Sequence, residues 1–168
     1  KLCEAFKIQD NCNFISVMPT NLYGPMDKFD DFGGHVPAAL LNRFHLAKKN
    51  NIPNVTVWGS GTPLREFLYV DDLADACLFL AKNYNSSQPI NVGSGHEISI
   101  KNFASLVKEI VGYKGKIIFD KSKPDGMKRK LLDSKKIKQM GWKPKISLKK
   151  GLKLFYKWYL NNQNILRK

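Results

Sequence analysis

Residues Val57 to Asp72, V-W-G-S-G-T-P-L-R-E-F-L-Y-V-D-D, constrain this chain more than any other stretch. A β-branched strand breaks at Gly59, Gly61 and Pro63, resumes as an apolar run, and opens a helix at Asp71-Asp72. Glycines at 59 and 61 can take positive φ or let a ligand approach the backbone closely. Arg65 and Glu66 place opposite charges inside an apolar strand, where an unpaired charge is costly. Asp71 or Asp72 is placed to cap the helix expected over Leu73–Lys82. Two readings fit: a hairpin bearing one surface ion pair, and a turn that meets a ligand.

The rest of the chain alternates between the two hydrophobic periods. Leu2, Ala5, Phe6 and Gln9 have helical spacing, and this helix has no start signal before Lys1, which suggests that the sequence opens inside an element. Phe14–Met18 is a short apolar run of the kind a buried parallel strand uses, and Pro19 ends it. In an open α/β sheet, ligands bind just past the carboxyl ends of strands. The turn T-N-L-Y-G-P at that point is therefore either a ligand-facing segment or a plain turn. A polar loop, Met26–Gly34, leads to a helix over His35–Lys49 with Val36, Leu40, Leu41 and Phe44 on its apolar face. Val55–Trp58 and Pro89–Val92 read as strands. Ser99 caps a helix over Ile100–Val111 whose core face is Phe103, Leu106, Val107 and Ile110. Lys116–Asp120 is a strand, Lys121–Lys130 a charged loop, Ser134–Met140 a short helix, and Ser147 opens a last helix ending near Asn161. Asn162–Lys168 reads as a frayed tail.

Charge narrows the partners. The net charge is +14, but residues 1–100 carry −2 and residues 101–168 carry +16. Lys149, Lys150, Lys153 and Lys157 alternate with Leu148, Leu152, Phe155 and Trp158 at helical spacing, as on a solvated helix face. No zinc-finger, basic-zipper or aromatic RNA-binding pattern accompanies them, so a small anionic ligand is favoured over nucleic acid. No apolar run approaches membrane-spanning length, and no signal-peptide pattern opens the chain. Cys3, Cys12 and Cys77 have no metal-like spacing, and no metal site is expected. They read as reduced thiols, Cys3 and Cys77 as buried helix residues, which fits the cytoplasm.

Three segments together, S-V-M-P-T-N-L-Y-G-P, W-G-S-G-T-P-L-R-E-F-L-Y-V-D-D and S-K-P-D-G-M-K-R-K-L-L-D, resemble the GDP-L-fucose synthase family of extended short-chain dehydrogenases/reductases. The resemblance runs from Lys1 to about Gln163 and covers the second half of such an enzyme. It implies an α/β fold: the C-terminal part of a Rossmann-type NAD(P)-binding fold plus a smaller α/β substrate-binding domain, without the N-terminal cofactor-binding half. Residues 1–34 and about 70–95 would belong to the Rossmann side, and 35–69 with 96–168 mainly to the substrate domain. The implied reaction is NADPH-dependent 3,5-epimerisation and 4-reduction of GDP-4-keto-6-deoxy-D-mannose to GDP-L-fucose, by a homodimer.

The resemblance also assigns roles. Pro19, Thr20, Asn21 and Leu22 match a segment lining the nicotinamide side of the NADP(H) site. His35 matches an epimerisation acid/base that also borders that site. Arg43, Trp58, Arg65 and Asp125 match substrate contacts, and Lys130 could reach the nucleotide. Other readings stand beside these roles: a surface histidine at 35, a half-buried aromatic at 58, a solvated charged loop around 125. The glycine-rich cofactor turn, the Tyr-x-x-x-Lys pair and the cysteine partner of the epimerase histidine are not in these residues, so the isolated chain is expected to be inactive. Another nucleotide-sugar epimerase or dehydratase of the same superfamily, and a non-enzymatic basic module, are the alternatives.

Overall fold

The computed structural model describes residues 1–30 and 34–166. Along the chain these form α1 (Leu2–Asp10), β1 (Val17–Pro19), β2 (Asn21–Tyr23), α2 (Val36–Lys49), β3 (Asn54–Trp58), β4 (Leu64–Tyr69), α3 (Val70–Asn83), β5 (Ile90–Val92), β6 (Glu97–Ser99), α4 (Ile100–Val111), β7 (Lys116–Asp120), β8 (Arg129–Lys130), α5 (Lys135–Gln139) and α6 (Leu148–Asn161). The alternation of strands and helices makes the chain α/β, and most strand pairs are parallel, as helical crossovers require.

The two apolar runs read as strands adjoin: β1 and β5 pair in parallel, Val17 opposite Ile90 and Pro19 opposite Val92. After one residue the chain leaves this sheet for another. β2 pairs in parallel with β4 (Asn21 opposite Phe67), β4 runs antiparallel to β6 (Arg65 opposite Ile98), and β8 joins β4 in parallel (Arg65 opposite Lys130). A third sheet is the parallel pair β3–β7, in register from Asn54 opposite Lys116 to Trp58 opposite Asp120. β3 and β4 therefore lie in different sheets, and the hairpin reading of Val57–Asp72 is wrong. Gly59 (φ +84°) and Gly61 (φ +77°) turn the chain between sheets, and a Cβ at either would collide, with Asp125 at the first and with Phe119 at the second.

Two apolar clusters hold these sheets. In the larger, α2, α4 and α6 bring Leu41, Phe44, Phe103, Val107 and Phe155 against Val55, Val57 and Phe67. In the smaller, Ala76 and Leu80 of α3 pack with Leu68, Ile90, Val92, Ile137 and Trp142. Tyr23 and Phe29 belong to the larger cluster. The lysines of α6 point to solvent, as their spacing implies. Leu106 and Ile110 are only partly buried, while Ala104 and Val111 complete the α4 core face.

Several local expectations are corrected. β1 starts at Val17, because its pairing reaches only Val17–Pro19, and Phe14 stays exposed, edge-to-face with Phe6. No residue of α1 is buried, and no layer covers its apolar stripe among the described residues. Val36 is exposed on the first turn of α2, where Pro37 and Ala38 take the inward positions. Cys77 is exposed and Cys3 half-buried. The loop after Met26 is seen as far as Asp30, and Gly33 lies outside the described residues, as do the last two residues of the tail.

The two acidic positions in the opening stretch do something the sequence did not suggest. No side chain caps α3; Asp72, buried, instead accepts the backbone N–H groups of Lys145 (2.9 Å) and Ile146 (3.0 Å), anchoring the entry to α6. Glu66 does not pair with Arg65, because successive residues of a strand face opposite sides. It is fully buried and accepts from Gly95 N–H (2.6 Å) and Ser94 Oγ (3.3 Å) on Oε1, and from Leu132 N–H (3.1 Å) on Oε2. Glu66→Gln keeps the size but turns one acceptor into a donor that faces an N–H. It should cost about 1–3 kcal/mol, the usual penalty for a buried polar group left unsatisfied, read as a lowered denaturant midpoint. An unchanged midpoint would mean that the junction does not depend on the carboxylate.

Candidate functional site

The candidate residues lie where strands end and the chain changes sheet. Trp58 closes β3, half exposed, with Lys123 Nζ 5.7 Å from its ring centre. Arg43, on α2, donates from Nη1 to the Thr56 carbonyl of β3 at 2.7 Å. Arg43 and Trp58 border one open groove of about 470 Å³, together with Leu46, Ile52 and Val55.

The β3–β4 turn carries the next group. Ser60 donates to Asp125 twice, from its backbone N–H to Oδ1 at 2.6 Å and from its hydroxyl to Oδ2 at 2.7 Å. Both carboxylate oxygens are thus fixed, and the loop after β7 is pinned across the glycine turn. These bonds, the hydroxyl's first, hold the Asp125 carboxyl below the usual carboxylate range. Arg65 is one strand position from Leu64, whose carbonyl it bonds at 2.8 Å, and its guanidinium borders Gly126. Its β8 neighbour, Lys130, donates to Asn21 Oδ1 at 3.3 Å. Asn21 in turn donates from Nδ2 to the Glu66 carbonyl at 2.8 Å. The contacts therefore run in one row: Arg43 and Trp58, then Ser60 and Asp125, then Arg65, Lys130 and Asn21.

Pro19 closes β1 and is exposed; Thr20, buried, donates its N–H to Val92 at 3.0 Å. Thr20 and Asn21 have thus spent much of their polar capacity on the junction of two sheets. Leu22 packs against the smaller cluster. What this segment can still offer a flat ring is the Pro19 face at the carboxyl end of a parallel strand.

His35 stands apart from that row. It is the N-cap residue of α2, with its side chain 78% exposed. Its Nδ1 lies 3.4 Å from Oδ1 of Asp27, which also accepts the Lys28 N–H at 2.8 Å. By contrast, His45 on the same helix is hydrogen-bonded to the Tyr156 hydroxyl (3.1 Å) and is pushed to lower pKa by burial, then by Lys49 and Lys48. His45 is half-buried and edge-on to Tyr156 and Tyr159, whereas His35 is open to a ligand.

Four contributors escaped the sequence reading: Asp27, Ser60, Lys123 and Glu66. Asp27 and Ser60 sit in turns whose composition any turn would show, and their partners are distant or on the far side of a loop. Among the described residues, no group of His, Cys, Asp and Glu could hold a metal ion, and no helix is long and apolar enough to cross a membrane.

A mixed α/β chain with paired parallel strands and a change of sheet at a strand's carboxyl end belongs to the open α/β class of folds, in which ligands bind past the carboxyl ends of strands. The chain belongs to the NAD dependent epimerase/dehydratase family, whose model matches residues 1–93. It is 57% identical over 162 residues to the probable GDP-L-fucose synthase 1 of Oryza sativa subsp. japonica, covering 96% of this chain and 49% of that protein. It is 48% identical over 176 residues to the GDP-L-fucose synthase of Escherichia coli (strain K12), covering 99% and 55%. Its structure matches that of a GDP-L-fucose synthetase from Naegleria fowleri bound to NADP with a TM-score of 0.91 at 33% identity, over 98% of this chain and 52% of that one. The chain spans about half the length of the curated relatives it matches.

The Ser60–Asp125 clasp gives a pH expectation. The folded-state pKa is depressed, so the clasp's contribution is present above the unfolded value and is lost as pH falls through the folded one. Carboxyl NMR should find Asp125 titrating below an ordinary aspartate, and Ser60→Ala should move it up. A titration indifferent to Ser60 would show the clasp absent in solution.

Proposed function

We propose that this chain forms the sugar-nucleotide-binding part of an NADPH-dependent GDP-L-fucose synthase, which epimerises GDP-4-keto-6-deoxy-D-mannose at C3 and C5 and reduces it at C4 to GDP-L-fucose. The observation that carries the proposal is the row of cationic side chains, Arg43, Arg65 and Lys130, built around Trp58 and Asp125. Guanidinium forks suit a diphosphate because they bind it bidentately. Trp58 offers an aromatic face to a base, and Asp125, kept ionised, an acceptor pair for base N–H groups. The high identity to two GDP-L-fucose synthases supports GDP as the nucleotide.

Residues 1–34 and about 70–95 are assigned to the Rossmann side, and 35–69 with 96–168 to the substrate side. The β1–β5 pair supports this, although Ile137 and Trp142 pack with the first group and Tyr23 and Phe29 with the second. Pro19, Thr20, Asn21, Leu22 and His35 would border the nicotinamide of NADP(H). The exposed end of β1 fits such an edge; the pyrophosphate cradle belongs to a glycine-rich turn that these 168 residues do not contain. When bound, NADPH supplies the hydride delivered to C4. We extend the proposal to a cytoplasmic homodimer, consistent with three free thiols and with the uncovered stripe of α1.

His35 takes the acid/base part. The 4-keto group acidifies the C3 and C5 hydrogens, and an imidazole near neutrality can remove or return a proton there. An α-helix rises 1.5 Å per residue, so His35 and Arg43 stand about 12 Å apart along α2. A hexosyl diphosphate spans a comparable length, so phosphate on Arg43 leaves the sugar ring toward the start of the helix.

In the protein expressed from its complete gene, His35→Gln should slow solvent-deuterium wash-in at C3 and C5 by about 10²–10⁴-fold. Hydride transfer to an already epimerised 4-keto sugar should suffer less. Undiminished exchange would remove His35 from the chemistry. Arg65→Ala should weaken GDP-sugar binding by about 1.5–3 kcal/mol for each charged hydrogen bond lost, with NADPH affinity unchanged in calorimetry. Since no carboxylate pairs with Arg65 among the described residues, stability should hardly move. Normal sugar-nucleotide affinity in this variant would refute the diphosphate contact.

A further inference from the structure

Asp27 is unusual in three ways. Its side chain is only 13% exposed, yet it ends in a carboxylate. One oxygen, Oδ1, holds the Lys28 N–H and faces His35 Nδ1; the other, Oδ2, is buried with no hydrogen-bond partner among the described residues. The preceding residue, Met26, has φ +66°, a left-handed conformation that side chains seldom adopt and that surroundings must impose. The turn is tied on both sides. Asp27 N–H reaches the Gly24 carbonyl at 3.4 Å, and Asn42 of α2 donates to the Phe29 carbonyl at 3.2 Å. A buried, half-satisfied carboxylate on a strained turn is costly, and stability alone gives no reason to keep one.

We propose that Asp27 is the positioning residue of His35: it holds the ring by Nδ1–H, fixes the tautomer with Nε2 outward, and supplies the negative charge that the imidazolium meets. The inference rests on His35 being the epimerisation acid/base. Once Oδ1 accepts from Nδ1–H, Nε2 is left as the only ring nitrogen able to take a proton from substrate. In the structure the two atoms stand 3.4 Å apart without hydrogen-bond geometry, and contacts of acid/base pairs commonly tighten only when substrate engages. A free surface histidine turns about its two side-chain bonds; one held by an immobile carboxylate presents Nε2 in one direction, and orientation is a large part of what a catalytic group contributes. The carboxylate does not itself take up the proton, as in other carboxylate–histidine pairs.

The test uses the protein expressed from its complete gene, with wash-in at C3 and C5 and hydride transfer to epimerised substrate measured separately. Asp27→Asn retains the oxygen that accepts from Lys28 N–H and Nδ1–H but removes the charge. It should lower wash-in by about 10²-fold, at the lower end of what an acid/base supplies, leaving the sugar-nucleotide KM and the hydride step unchanged. Asp27→Glu should recover part of the loss. Added to His35→Gln, Asp27→Asn should cost nothing more, because the carboxylate acts through the ring. Losses that multiply in the double variant, or a hydride step that falls in parallel, would make Asp27 a structural residue only. Unchanged wash-in would give it no role. If Asp27→Asn does not fold, the same cycle run with Asp27→Glu decides by the same criterion. Full wash-in in His35→Gln alone would overturn the acid/base reading and this inference with it, whereas multiplying losses beside an inactive His35→Gln overturn this inference only.

Discussion

The buried carboxylate of Glu66 is the interaction on which the arrangement of this chain depends. Four segments meet at one strand residue. Its carboxylate takes the N–H of Gly95 and of Leu132, and its backbone carbonyl takes the Asn21 amide at 2.8 Å and the Thr20 hydroxyl at 3.4 Å. A charge in that position is tolerable only because N–H and O–H donors surround it. Gly93 is part of the same constraint, since a Cβ there would lie 2.5 Å from Oε1. The β1–β2 and β5–β6 junctions, which carry the chain from one sheet to the other, are thereby locked to β4.

That lock has a functional consequence. Arg65, on the other face of the same strand, has its direction set by the burial of Glu66, because a one-residue slip in β4 would exchange the two. The cation proposed for the diphosphate and the structural anion are thus two readouts of one register. The same logic ties Lys130 to Asn21: β8 is held beside β4 by two pairs, Leu64 with Arg129 and Arg65 with Lys130, and Arg129 is held further by an ion pair to Glu97 at 2.8 Å. Arg65, Lys130 and Trp58 stand on ladder positions of β4, β8 and β3, while Arg43 comes from α2 and Asp125 from the loop after β7.

The fold was legible wherever one element carried its own signal. The 3.6-residue period gave α2, α4 and α6, Ser99 and Ser147 were visible as caps, and both accept the expected backbone N–H. The two short apolar runs were readable as strands. What failed was anything set by a partner far along the chain. Glu66 and Arg65 look like an ion pair because sequence shows adjacency and not the side of the strand; Asp72 looks like a cap because its true partners, Lys145 and Ile146, lie more than seventy residues on. Motif resemblance singles out Arg43, Trp58, Arg65 and Asp125, but nothing in the sequence singles out the residues that touch and orient them. Ser60 is two residues from Trp58 and resembles any turn serine; only the fold brings Asp125 onto it. Asp27 lies eight residues before His35, and the two share no helix or strand whose period could pair them.

The excess of lysine in the second half shows how little net charge says about function without geometry. Part of it is spent locally: Lys149 pairs with Glu109 at 2.7 Å, Lys145 with Asp75 at 2.5 Å, and Lys136 donates to the Tyr84 hydroxyl at 2.8 Å. Exposed pairs of this kind contribute little to stability and are screened by salt. They coat helices so that apolar faces can turn inward. A polynucleotide would require a continuous basic surface whose attraction falls steeply with salt. The geometry here concentrates useful charge elsewhere: two guanidiniums and one ammonium stand on strand and helix positions fixed by hydrogen bonds, around one aromatic face and one fixed carboxylate. Such a set discriminates by shape as well as by charge. In the proposed complex a diphosphate would satisfy the cations, a planar base would meet the indole and the carboxylate, and the sugar would project toward the start of α2, where the exposed histidine stands with Asp27 beside it. A bare polyanion would satisfy the cations but leave Asp125 and Trp58 without partners and bring a like charge against the carboxylate, so the anion in this site also makes it selective.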